Sequence, residues 1–122
     1  MSGKRFRMTV EDRAEYGGEE WVFLDFDKLA NARAVVLERY ERATGVLMQN
    51  ILAAYTGNGS MEASRALVWI AREQSGLRTP FSEFNIHTLK LDVEYVGDED
   101  PEQEKATALP LSDSPPTSPA SD

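Results

Sequence analysis

Residues 60–76 read SMEASRALVWIAREQSG, and this run decides the fold. It has a start signal, a dense apolar middle and a stop. Ser60 is suited to cap the first free backbone N–H groups of a helix, and Glu62 stands in the first turn, where the helix dipole favours negative charge. Gly76 accepts the left-handed conformation that closes a helix. Between them Ala63, Ala66, Leu67, Ile70, Ala71 and Gln74 fall on one side at helical spacing. Arg65 and Arg72 lie opposite and are expected to reach water. Val68 and Trp69 occupy the two flanks, so the apolar band is wider than a surface helix needs. Two readings follow. In one, the helix is central and covered on several sides. In the other, the flank carrying Trp69, with Val68, is a docking face for another protein, because aromatic side chains concentrate at such contacts.

Upstream, the chain prepares a layer for this helix to pack against. In RFRMTV (5–10), Phe6, Met8 and Val10 alternate with Arg5, Arg7 and Thr9, the pattern of a half-buried strand. EDRAEYGG (11–18) is polar and ends in a glycine pair, which reads as a loop and turn. EEWVFLDF (19–26) is a second strand, with Trp21, Phe23 and Asp25 on one side and Val22, Leu24 and Phe26 on the other. The two strands make an antiparallel hairpin, which is marginal alone and must rest on something apolar. Asp25 or Asp27 caps the next element. From Lys28 to Thr44 a helical pattern runs through Leu29, Ala32, Val36, Leu37, Tyr40 and Ala43 and stops at Gly45. A shorter helix, Val46 to Tyr55, turns Leu47, Met48, Ile51, Leu52 and Tyr55 inward. Gly57-Asn58-Gly59 then forms a tight link into the Ser60 helix.

Downstream, Thr79-Pro80 marks a single turn, with Phe81 and Phe84 available to cover one end of the core. Leu89, Leu91, Val93 and Tyr95 alternate with Lys90, Asp92 and Glu94. That spacing predicts a strand able to join the hairpin, although so short a window also fits a helical extension, and residues 86–96 stay open between the two. The fold class is therefore α+β, mainly α: an N-terminal β-hairpin on a small three-helix core, one domain over residues 1–96.

Composition separates the remainder. Residues 97–122 hold one Lys against seven acidic residues, whereas residues 1–96 hold 12 Lys and Arg against 14 acids. The tail is also rich in Ser and Pro, with too little apolar surface to offset the entropy of ordering, so it is expected to be disordered. The whole chain has 122 residues, a formal charge of −8 and no cysteine. A disulfide framework and thiolate chemistry are thereby excluded. No apolar run approaches the ~20 residues of a membrane span, and the start lacks a signal-peptide core, which predicts a soluble cytoplasmic protein. No basic stripe suggests nucleic acid.

Catalytic and ligand patterns are sparse. His87 is the single histidine, so it cannot form a histidine metal cluster and reads as a boundary residue; only a cleft holding it beside a carboxylate would point to an enzyme. Asp25 and Asp27 have the spacing of paired metal carboxylates but also that of a helix start. Glu19-Glu20 and the Asp98–Asp100 run lack the fixed multi-ligand loop that calcium requires. Gly57-Asn58-Gly59-Ser60 resembles an anion cradle without the lysine of a phosphate loop. No catalytic, cofactor or metal residue is assigned, and by elimination the chain is expected to work by contact.

The order of features has a family likeness. A hairpin is followed by FLDFDKL, by a helix ending ERATG (Glu41–Gly45), by a short apolar helix and Gly-rich link, by ALVWIAREQSG (Ala66–Gly76), by TPFSEF (Thr79–Phe84) and by an acidic, Pro-rich end. Over about residues 5–96 this resembles the tail assembly chaperones of long-tailed, siphovirus-type bacteriophages, especially those of actinobacterial hosts. The resemblance implies a non-enzymatic protein of the host cytoplasm. Such a protein binds the tape measure protein, keeps it soluble, helps tail tube protein polymerise around it and then leaves. It also implies a longer companion form made by ribosomal frameshift. The competing readings are a structural virion protein, such as a head–tail connector or tail-end subunit, and a small host regulatory binding module.

Overall fold

The computed structural model describes residues 2–97. The fold is α+β and mainly helical, as expected. Its elements in chain order are β1 (Gly3–Arg7), α1 (Val10–Tyr16), β2 (Trp21–Asp25), α2 (Phe26–Ala30), α3 (Ala34–Thr44), α4 (Met48–Tyr55), α5 (Met61–Gln74) and β3 (Asp92–Val96), with short 3-10 turns at Phe81–Glu83 and Thr88–Lys90. The expected disordered tail lies outside the described residues, apart from Gly97.

The three strands form one antiparallel sheet in the order β2-β1-β3. The strand option for the last apolar stretch is the one observed, and it joins the hairpin on the far side of β1. The register aligns Phe6 with both Val22 and Val93, and Lys4 with both Leu24 and Tyr95. Alternation along each strand then puts those six side chains on one face. On the other face Arg5 and Arg7 reach the β3 carboxylates, Nε to Glu94 Oε1 at 2.8 Å and Nε to Asp92 Oδ2 at 2.8 Å. The Arg5 and Arg7 guanidinium groups also stand 4.3 and 5.0 Å from the Trp21 ring. This solvent-facing ladder pairs its charges across strands, which suits a sheet with one wet side.

Helix α5 forms as its sequence demands. Ser60 accepts a hydrogen bond from the Ala63 N–H at 3.1 Å, and Gly76 has φ +86° just past the end. Its Ala63, Ala66, Leu67, Ile70 and Ala71 are buried against β2 and α4. Small residues at these positions let the helix lie close to the sheet. Gln74 ties its last turn to β2, accepting from the Asp25 N–H at 2.8 Å and donating to the Asp25 carbonyl at 3.2 Å. Gly59 brings α4 and α5 together, because a Cβ there would run into Ala54. Phe81 and Phe84 are buried at one end of the core, as the sequence suggested.

Several expectations change. Residues 11–16 are helix rather than loop, because Thr9 accepts from the Asp12 N–H at 3.1 Å and starts α1; the expected turn at Gly17-Gly18 is present, with φ +76° and +103°. The expected helix over Lys28–Thr44 is two helices. Asp25 caps the first by accepting from the Lys28 N–H at 3.0 Å, and Asn31 ends it by bonding back to the Asp27 carbonyl. Leu47 and Leu52 are exposed rather than inward. Leu47 precedes the first turn of α4, and the covered side of that helix holds the buried Ile51, Ala54 and Tyr55 with Met48 partly buried beside them, leaving Leu52 a step around the helix. Arg72 does not reach water, being buried against the end of α1, whereas Arg65 is half-buried, bonds the Phe81 and Phe84 carbonyls and still lines an open hollow.

Candidate partner-binding surface

Val68 and Trp69, the two residues expected to offer a docking flank, are 0% and 6% exposed. The expectation is corrected on that ground. Trp69 sits edge-on to Tyr40 and to Phe81, with ring centroids 6.2 and 6.1 Å away, and donates its indole N–H to the Thr79 carbonyl at 2.6 Å. The width of the apolar band on α5 thus reflects neighbours on more than one side. A periodicity plot cannot distinguish that from a surplus face.

The covering segment, residues 79–87, is held by side chains from two helices. Arg65 donates from one nitrogen to the Phe81 and Phe84 carbonyls at 2.8 and 3.1 Å, with its guanidinium 3.9 Å from the Phe81 ring. Tyr16 donates its hydroxyl to the Glu83 carbonyl and accepts from the Asn85 N–H, both at 2.8 Å. Arg72, 3% exposed, forks to the Tyr16 and Gly17 carbonyls at 2.8 Å each and so fastens α1 to α5. Burial pulls the Arg72 pKa below its ordinary value; the two carbonyls take its terminal nitrogens, while its buried Nε has no hydrogen-bond partner among the described residues.

His87 does stand beside a carboxylate. Its backbone N–H donates to Asp12 Oδ2 at 2.8 Å, and its Nδ1 lies 2.9 Å from Asp12 Oδ1. Asp12 is buried and holds both the main chain and the ring of this one residue, which is the geometry of a loop staple. An open hollow is lined by its chain neighbours Asn85, Ile86 and Thr88 with Met61, Glu62 and Arg65, and His87 is not among the lining residues. Among the described residues no hydroxyl hydrogen-bonds the His87 ring. Nor do the described residues contain a group of three or more His, Asp or Glu side chains placed to hold a metal ion. Asp25 and Asp27 serve local structure: Asp25 caps α2, and Asp27 accepts from the Ser2 N–H at 2.9 Å. Glu20 makes an exposed ion pair with Arg7, and the Asp98–Asp100 run lies outside the described residues.

The open apolar surface is elsewhere, on β3. Along the row Val22–Phe6–Val93 exposure runs 7%, 4% and 48%; along the row Leu24–Lys4–Tyr95 it ends at 51%. Helix α5 packs over β2 and leaves β3 uncovered. Between β3 and the helices runs a groove of about 290 Å³, lined by Lys4, Phe6, Ala54, Gly57, Ser64, Leu67, Thr88, Leu91 and Val93. Lys4 lies half-buried in its wall, with the ammonium 5.0 Å from the Tyr55 ring centroid, and burial lowers its pKa. The sequence signal for this strand was the alternation of Leu91, Val93 and Tyr95, which gives it one apolar face.

The chain matches no protein-family model, no curated protein and no solved structure. Among the described residues no helix is long and apolar enough to cross a membrane.

Proposed function

We propose that this protein is a non-catalytic holding protein, a phage tail assembly chaperone that binds the tape measure protein, keeps it soluble and assists polymerisation of the tail tube. Two things support the reading. One is the resemblance in order and capping across residues 5–96, above all in Glu41–Gly45 and Ala66–Gly76. The other is physical: a holding protein needs exposed apolar surface for its client and charge to keep the complex in solution.

The observation that carries the proposal is the half-exposure of Val93 and Tyr95 on β3, on the face of the sheet where Phe6, Val22 and Leu24 of the other two strands are buried. In this reading the client docks on β3, and the buried Val68 and Trp69 take no direct part. Residues 97–122 follow β3 in sequence and hold seven acids, which would supply the solubilising charge.

The test is co-expression with a tape measure protein, sought as a very long reading frame downstream of this chain's gene, followed by affinity capture of this chain. The two proteins are expected to co-purify, and the long protein is expected to precipitate when expressed alone. Mass spectrometry of finished particles supplies the second arm. Absence from virions fits a chaperone, and stoichiometric presence would make the protein a structural component instead.

A further inference from the structure

We infer that the free edge of β3, with the groove behind it, takes an added β-strand from a partner whose residues alternate between apolar and basic. The inference deepens the proposed holding role by giving the docking mode, and it rests on that role only for the identity of the client.

Strand β3 pairs with β1 along one side, and among the described residues no strand pairs with its other side. Half of its backbone N–H and C=O groups thus face outward, the template on which extended segments add to sheets. A strand laid there would point alternate side chains to the two faces of the sheet. On the helix side they would meet Val93, Tyr95 and the groove. Its volume of about 290 Å³ is far more than the ~30 Å³ share of a single water and suits apolar side chains. On the other side they would meet Asp92 and Glu94. Each of these carboxylates takes its arginine on one oxygen, and among the described residues the second oxygen has no hydrogen-bond partner. Lys or Arg at alternate positions of the incoming strand complements that row.

The same charges argue against a second copy as the occupant. Antiparallel pairing of β3 with itself would set the Asp92 and Glu94 rows of two copies side by side. Like charges opposite one another destabilise a strand pair, and each chain carries a net −8.

The test uses the full chain, isotopically labelled, and synthetic peptides. One peptide alternates Lys and Val over ten residues; a second has the same composition at helical spacing; a third alternates Glu and Val. The first is expected to bind saturably and to shift the amide resonances of residues 91–96. The other two are expected to bind at least tenfold more weakly. Val93→Glu, Tyr95→Glu and Glu94→Lys should each weaken the first peptide by tenfold or more. Circular dichroism confirms that each variant folds, and the amide shifts on the unaltered chain need no variant at all. Equal binding of the helical-spacing peptide, shifts confined to other residues, or no binding would overturn the inference. So would concentration-dependent dimerisation that perturbs the β3 amides, which would make the occupant a second copy. Co-purification of the tape measure protein that survives Val93→Glu would sink the surface and leave the role standing. Peptide binding at β3 without tape measure capture would do the reverse.

Discussion

The indole N–H of Trp69 lies 2.6 Å from the carbonyl oxygen of Thr79, so the largest side chain of α5 is fixed to the segment that covers it. Trp69→Phe keeps most of the apolar contact and leaves that carbonyl without its donor, at an expected cost of about 1–3 kcal/mol. Trp69→Ala opens a cavity as well and should cost about 3–5 kcal/mol. Trp69→Glu should not fold. Urea denaturation of the first two, and the circular dichroism spectrum of the third, check the series. A folded Trp69→Glu would mean that the flank is open after all.

Arg72 fastens two helices through backbone oxygens, with no carboxylate partner among the hydrogen bonds it makes. Arg72→Met preserves the apolar stem but abandons the Tyr16 and Gly17 carbonyls. The expected loss is about 1.5–3 kcal/mol, the scale of hydrogen bonds to a charged group, with part returned because no cation is then buried. Arg72→Lys should rescue little, since an ammonium lacks the planar fork that spans both acceptors. Chemical denaturation midpoints of the two variants test the pair.

Alkaline stability should depend on Tyr55. Burial pushes its phenol up to about 12 from an ordinary 10, with smaller contributions from Tyr95 and Asp27. The folded state therefore binds this proton more tightly than the unfolded state. Its contribution is complete below pH 10 and is lost as the pH climbs from 10 to about 12. Tyr55→Phe should leave stability near pH 7 almost unchanged. Past pH 12 the unaltered protein should have lost roughly 3 kcal/mol more than the variant, at 1.36 kcal/mol per pKa unit. Denaturant titrations of both proteins across that range measure the difference.

Asp12 and His87 offer a test of staple against catalysis. Asp12→Ala removes the acceptor for the His87 backbone N–H as well as for its ring, and should cost about 1–3 kcal/mol. Amide exchange over residues 85–88 should accelerate with it. His87→Ala keeps the backbone bond and should cost less than about 1 kcal/mol, on the scale of a half-exposed contact. Client capture should be the same in His87→Ala as in the unaltered protein. Loss of function without loss of stability would restore a chemical role for the ring.

Local signals carried most of the fold. Caps at Ser60, Asp25 and Gly45, and the two-residue alternation around Phe6, Val22 and Leu24, depend on neighbours in sequence and could be read directly. The misreadings share one cause, which is that long side chains and distant segments decide burial. Arg65 and Arg72 look like surface charges until residues 79–87 and the end of α1 arrive with backbone carbonyls to bond. Trp69 looks like surplus for the same reason. Helix α1 was legible, since Thr9 precedes Asp12 by three residues in the pattern of a capping box, but its polar composition and the glycine pair after it argued louder. The open β3 face was visible as an alternating run. Its exposure was not, because that depends on how far α5 extends across the sheet.

The central strand is drawn from residues 3–7, and one of its two neighbours is drawn from residues 92–96. During synthesis the earliest strand to leave the ribosome must wait for the latest before its second side is occupied. At roughly 5–20 residues per second that wait lasts several seconds. Closing so long a loop comes at the end of assembly, after the local helices have formed. The newborn chain thus presents an unfinished sheet with both sides of its first strand in search of partners, and the proposed docking edge exists only once β3 has sealed that seam.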